Sequence, residues 1–241
     1  MSKPNQTGFI FLGLFLALGI TLGGYFIGQT MYNAKVALNT AEAKGLAEKR
    51  VKADRANWTI IFRNAGYKSE DIPALYKKSE ENQKTIINLL KQNGFDESEI
   101  KLGVIDYSYM EYRDDNQNLV DERHQLTGSI DVETDKVDLV STVRSSINKL
   151  ITQGIDIENY APRYYFTKLN EIKPEMLKEA TQNARIAANE FASNAGANVG
   201  RIRNARQGGF IVRDAGEEYG DTAKIEKDIR IVTTITFYLT D

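Results

Sequence analysis

The sequence predicts an α+β fold, mostly antiparallel sheet with helices packed on one face, preceded by one N-terminal transmembrane helix. Three observations predict it. Residues 8–28, GFIFLGLFLALGITLGGYFIG, carry no charged side chain. Several later segments alternate apolar and polar residues, the period of two that a half-buried strand requires. Three others repeat apolar residues every three or four positions, which places them on one face of a helix.

The apolar run comes first in the chain. At 1.5 Å rise per residue it spans about 31 Å, the thickness of a bilayer's hydrocarbon core. A removed signal peptide is the rival reading, since Ala17-Leu18-Gly19 has small residues at −3 and −1. The apolar run continues well past that point, which favours a retained anchor at 8–28 over secretion after cleavage. Residues 1–7 then form a short tail and 29–34 a linker, with a single domain over 35–241. The charges flanking the span, Lys3 against Lys35 and Lys44, are nearly balanced. A very short tail and no other span favour the C-terminal domain lying outside the cytoplasm, in the periplasm. Within the span Gly13, Ala17, Gly24 and Gly28 fall within about 60° of one another at 100° per residue. Such a stripe lets helices approach closely in a membrane.

Beyond the linker, Ala56, Trp58, Ile60 and Phe62 alternate with polar residues, while Val51 and Ala53 hold the opposite parity. The phase changes at Asp54, and the charged stretch 44–58 reads as a hairpin with one wet face. A helix is expected from Ser69, its N-cap, to Gln92, stopped by Gly94. Strands at 102–113 and 119–133 flank the turn Asp114–Asn118. A helix over 137–153 closes at Gly154, and 155–169 is extended and broken by Pro162. The longest soluble helix, 175–195, carries the stripe Leu177, Ala180, Ala184, Ala187/Ala188, Phe191 and Ala195, suited to lying close on a sheet. Strands at 199–212 and 225–239 end the chain, separated by the acidic loop 214–221.

Composition excludes several function classes. The chain has no cysteine and one histidine, so thiolate sites and three-histidine metal sites are out. Net charge is −2, which does not suit a nucleic-acid-binding domain. Asp114, Asn116 and Asn118 begin like a calcium loop, but Leu119 and Gln125 stand where glycine and glutamate are needed. The loop with Asp214, Glu217, Glu218 and Asp221 reads as a solvated hairpin tip, and Gln207-Gly208-Gly209 as a strand bulge. Tyr107 and Tyr109 share a strand face, and His124 is expected to be exposed. No catalytic, cofactor-binding or metal residue emerges, and no cofactor is expected.

The stretch KGLAEKRVKADRANWTI carries a resemblance to the bacterial SIMPL-domain family, in which a Gly-x-x-Glu hairpin leads to an aspartate opening the next strand. Those positions are Gly45, Glu48 and Asp54 here, with Trp58 on the strand. Residues 164–210, which include Gly209, and 229–239, which include Arg230, resemble the family's long alanine-rich helix and its later strands. The likeness covers about residues 35–240. It implies a cell-envelope domain without known catalytic residues, in some relatives linked to stress and in some assembled into large homo-oligomers. Many relatives carry a cleavable signal peptide, and the long span departs from that.

The expected partners are the lipid bilayer, through the N-terminal helix, and further copies of the same chain, arranged in a closed ring with all anchors on one face. The alternative function is a periplasmic hydrolase or transferase built on carboxylates and tyrosines.

Overall fold

A computed structural model describes residues 6–36, 39–68 and 71–240. The chain divides into two compact units. One holds the N-terminal segment to Ala47, Pro174–Phe210 and the stretch from Arg230 onward; the other holds Glu48–Lys173 and Ile211–Ile229. One boundary falls inside a strand, between Ala47 and Glu48. That boundary lies within regular strand, whereas two others fall at Pro174 and just after Gly208-Gly209.

The larger unit is built on six strands: β2 (Arg55–Gly66), β3 (Ile100–Leu102), β4 (Asp106–Arg113), β5 (Leu119–Thr134), β6 (Asp156–Asn159) and β7 (Arg163–Tyr165). Their order is β3-β5-β2-β6, with β4 also paired to β5 and β7 to β2. The central pair is antiparallel and regular, Ala56 opposite Thr134 and Gly66 opposite His124. Even-numbered residues of both strands therefore share one face. That face carries Trp58, Ile60, Phe62, Ile130 and Val132, all buried. Helices α2 (Ile72–Gln92) and α3 (Val137–Ile147) cover it with Ile86, Leu90, Val140, Val143 and Ile147. Helix α2 ends at Gly94 (φ 101°) and the 3-10 extension of α3 at Gly154 (φ 81°), the backbone region where glycine is favoured. Asp71 is the N-cap of α2, without a side-chain cap bond. Ser69, expected in that role, lies outside the described residues.

The smaller unit begins with α1 (Gln6–Val36), a helix of 31 residues. Helix continues through 29–34, so the expected linker is helical. β1 (Thr40–Lys52), β8 (Asn198–Gln207), β9 (Ile211–Asp214) and β10 (Glu226–Thr240) form a four-stranded sheet of order β1-β10-β8, with β9 also on β10; β9, the end of β1 and the start of β10 are counted in the larger unit. β8 and β10 are antiparallel. Helix α4 (Leu169–Asn194) starts six residues earlier than its apolar stripe suggests and takes Pro174 into its early turns. It buries Met176, Ala180, Ala184, Ala188 and Ala192. A stripe at spacing four drifts about 40° per step. Phe191, expected inside, is consequently 63% exposed.

The main correction concerns the charged stretch 44–58. β1 and β2 do not form a hairpin; they belong to different sheets. Ala53 donates its N–H to Ile225 O and Asp54 its N–H to Tyr165 O, at 2.8 and 2.9 Å. The connection passes from one sheet to the next instead of turning back. The phase change at Asp54 is real, and it marks a change of sheet.

Candidate functional site

Three of the motif residues, Gly45, Asp54 and Trp58, have a traceable structural task. At Gly45 a Cβ would stand 1.8 Å from the carbonyl oxygen of Ala180 and 2.5 Å from the nitrogen of Ala184. Helix α4 thus lies with its backbone against β1, and only glycine leaves room. The Asn183 amide, on the same helix, donates to Leu46 O at 2.7 Å. Asp54 closes the change of sheet from the other side: its carboxylate accepts the Thr167 N–H at 2.8 Å and the Thr167 hydroxyl at 3.1 Å. Trp58 is buried, and its indole N–H donates to Asn159 Oδ1 at 2.9 Å. Asn159 in turn donates to Arg144 O and to Asn148 Oδ1, tying β6 to the end of α3.

Gly209 has no such task, since nothing lies within 4 Å of the position of its Cβ. The crowded position is its neighbour Gly208, whose N–H donates to Val232 O at 2.9 Å and whose Cβ would meet that oxygen at 2.7 Å. Glu48 and Arg230 are exposed on β1 and β10. On α1, Gly13, Ala17, Gly24 and Gly28 are exposed, and nothing stands near the glycines.

Two of the basic residues of 44–55, Arg50 and Lys52, are held by partners within the larger unit. Arg50 grips Asp228 with two hydrogen bonds, 2.7 and 2.9 Å, and Lys52 pairs with Asp138. The Arg50 hydrogen bonds, with help from the Gly216 N–H, hold the Asp228 carboxyl down to about 2.

Two polar clusters escaped the sequence reading. In the loop expected to be a solvated tip, Asp214 is 3% exposed. It accepts the fully buried Lys227 ammonium at 2.5 Å and the N–H groups of Ala223 and Lys224. Lys227 also donates to Asp221 O at 2.7 Å. Burial pushes the Asp214 carboxyl up, but Lys227 and the two N–H groups outweigh it and the net displacement is downward. The signal was in the parity of β10, where Lys227 stands in line with Ile229, Ile231, Ile235 and Phe237, all inward.

His124 is the second. It is 3% exposed rather than exposed, because it shares the inward parity of Leu126 and Ile130. Tyr107 and Tyr109 flank it with stacked rings at 6.1 and 4.9 Å. The Tyr107 hydroxyl meets Nδ1 at 2.8 Å, and Nε2 faces Glu122 at 3.4 Å. Tyr109 donates to Glu111 and Glu122, and its phenol is pushed up to about 12 by desolvation first and the Glu111 hydrogen bond second.

A cleft of about 450 Å³ opens on the other face of the six-stranded sheet, over the odd positions of β2 and β5. Lys101 pairs with Glu133 at 2.6 Å across it, and the Thr59 hydroxyl donates to Asp131 at 2.5 Å. Tyr160, Arg163 and Tyr165 form the opposite wall. Asn57 Oδ1, in the floor, is buried and has no donor among the described residues. Both carboxylates are already engaged, so neither stands as a free acid or base. Among the described residues no three histidine, aspartate or glutamate side chains are grouped to hold a metal ion.

The model of the SIMPL family, described as a protein of unknown function (DUF541), matches residues 42–237. The chain belongs to the SIMPL family. No curated protein matches it. The SIMPL match begins within β1 and ends within β10, so it takes in the Gly45 contact, the Asp54 junction, the Lys227 pair and the cleft, and leaves α1 outside. Helix α1 is long and apolar enough over Gly8–Ala34 to cross a membrane, which fits an anchor or a signal sequence.

Proposed function

We propose that this SIMPL protein is a membrane-anchored, non-enzymatic cell-envelope protein, with its domain in the periplasm, that acts as a homo-oligomeric, ring-like assembly in the stress physiology of the envelope. The observation that carries the reading is α1. Its 21 uncharged residues at 8–28 match a bilayer core, and the helix continues to Val36 with no break at the Ala17-Leu18-Gly19 position. The motif residues support the non-enzymatic part, because Gly45, Asp54 and Trp58 are all occupied in packing and in joining elements. Assembly is supported by the unpaired sheet edges and by the glycine stripe of α1. Intact mass of the purified protein, with protease treatment of spheroplasts, tests the anchor and its orientation. A mature N-terminus near residue 20 or 35, or full protection of the domain, overturns it.

A second reading, a periplasmic hydrolase or transferase, rests on the cleft, where carboxylates and tyrosines converge. Turnover of chromogenic ester, phosphate or glycoside substrates that disappears in both Asp131→Asn and Glu133→Gln establishes that reading over the first.

A further inference from the structure

The sheet edges of the chain differ sharply in how they are guarded. An unpaired edge invites another strand, and proteins blunt it with lysine, proline, bulges, short length or repulsive charge. β3, β6 and β7 are short, at 3, 4 and 3 residues. β8 carries Arg201, Arg203 and Arg206 with no acid, so two copies laid together would oppose like charges. On β1 the basic residues Arg50 and Lys52 are held by Asp228 and Asp138.

β4 lacks these guards apart from a register shift at its far end, after Tyr112. Its eight residues, DYSYMEYR, contain no lysine and no proline, and all eight are exposed. Among the described residues it pairs with β5 alone, in regular register until a shift after Tyr112. Its outer edge is therefore a row of free backbone groups, flanked by Tyr107 and Tyr109 on one face and Met110 and Tyr112 on the other. Tyrosine and methionine are enriched where protein surfaces meet.

We infer that β4 is the pairing edge for a second copy of the chain, the two β4 strands running antiparallel about a two-fold axis perpendicular to the sheet. This rests on the assembly reading and names its contact. Such an axis keeps each face on its own side, so residues of like parity meet. Either Met110 lies opposite itself, with Tyr107 facing Arg113 and Tyr109 facing Glu111, or Tyr109 lies opposite itself, with Tyr107 facing Glu111 and Asp106 facing Tyr112. No like charges meet in the second register, and in the first the only such pair is Asp106 with Asp114, just beyond the end of β4. In the first, each guanidinium reaches a tyrosine ring, a favourable cation–π geometry. The contact closes on itself at two copies, and a larger ring needs a second, different contact.

The cysteine-free chain makes the test direct. Residues on the axis of an antiparallel pair have Cα atoms about 4.5–5.5 Å apart, within disulfide reach. Full-length Met110→Cys and Tyr109→Cys, each in mild detergent under oxidation, are compared with Ile202→Cys on β8. One of the two is expected to run as a covalent dimer while the β8 variant does not. Met110→Lys, at an exposed position, is expected to weaken assembly by about tenfold. If neither cysteine crosslinks above the β8 control while light scattering still finds an assembly, the contact lies elsewhere and the inference falls. If the unmodified chain is a monomer, the assembly reading falls with it.

Discussion

The two compact units hold together by opposite means. In the larger, Trp58, Phe62, Ile60, Ile130, Ile86 and Leu90 interlock as large buried side chains between a sheet and two helices. In the smaller, the buried face of α4 is almost all alanine, and at Gly45 the helix and strand backbones touch. One core is sensitive to atoms removed and the other to atoms added. Gly45 and Trp58 thus report two different packing problems.

The largest effect is expected from emptying the first core. Trp58→Ala removes a fully buried indole and its bond to Asn159, and should cost about 3–5 kcal/mol by denaturant unfolding. Lys227→Met is of similar size, about 3–5 kcal/mol, because it leaves the Asp214 carboxylate buried without its cation. The double variant Asp214→Leu/Lys227→Met should recover much of that loss, and failure to recover would give the loop's backbone bonds to Asp214 the larger share.

Adding one methyl tests the second core. Gly45→Ala forces α4 off β1 and should cost about 3 kcal/mol, while Gly209→Ala should be near neutral because nothing surrounds that position. Equal effects at the two glycines would contradict the close backbone contact.

The smallest effect is electrostatic. The Asp228 carboxyl is held at about 2 in the folded chain against an unfolded value of 3.8. A depressed carboxylate contributes stability that is complete above about pH 4 and lost as pH falls toward 2. Arg50→Met should flatten that part of the stability–pH curve by lowering the plateau above about pH 4, only slightly because the pair is largely exposed, and leave stability near pH 2 unchanged.

Much of this architecture was legible in the residues. The period-two and period-three-to-four patterns placed the long strands, α2 and α3, and the glycine stops at Gly94 and Gly154 were visible as such. Strand partners were not. Alternation shows which face of a strand is buried, and it is silent about which strand lies alongside. The two residues Ala53-Asp54 therefore looked like a hairpin turn, when their backbone and side-chain bonds to Ile225, Tyr165 and Thr167 carry the chain into another sheet. The buried pair and His124 were hidden for a different reason. Composition suggests that charged residues face water, whereas parity within β10 and β5 put Lys227 and His124 inside. The cleft draws on Thr59, Lys101, Asp131 and Arg163 from four strands, a juxtaposition that no local pattern encodes.

The central claim is that an anchored SIMPL chain works as several copies. Light scattering of the full-length protein in mild detergent, at micromolar concentration and moderate salt, tests it most directly. The account predicts a protein mass that is a multiple, two or greater, of the 27.1 kDa chain. A mass of one chain across that concentration range would contradict it.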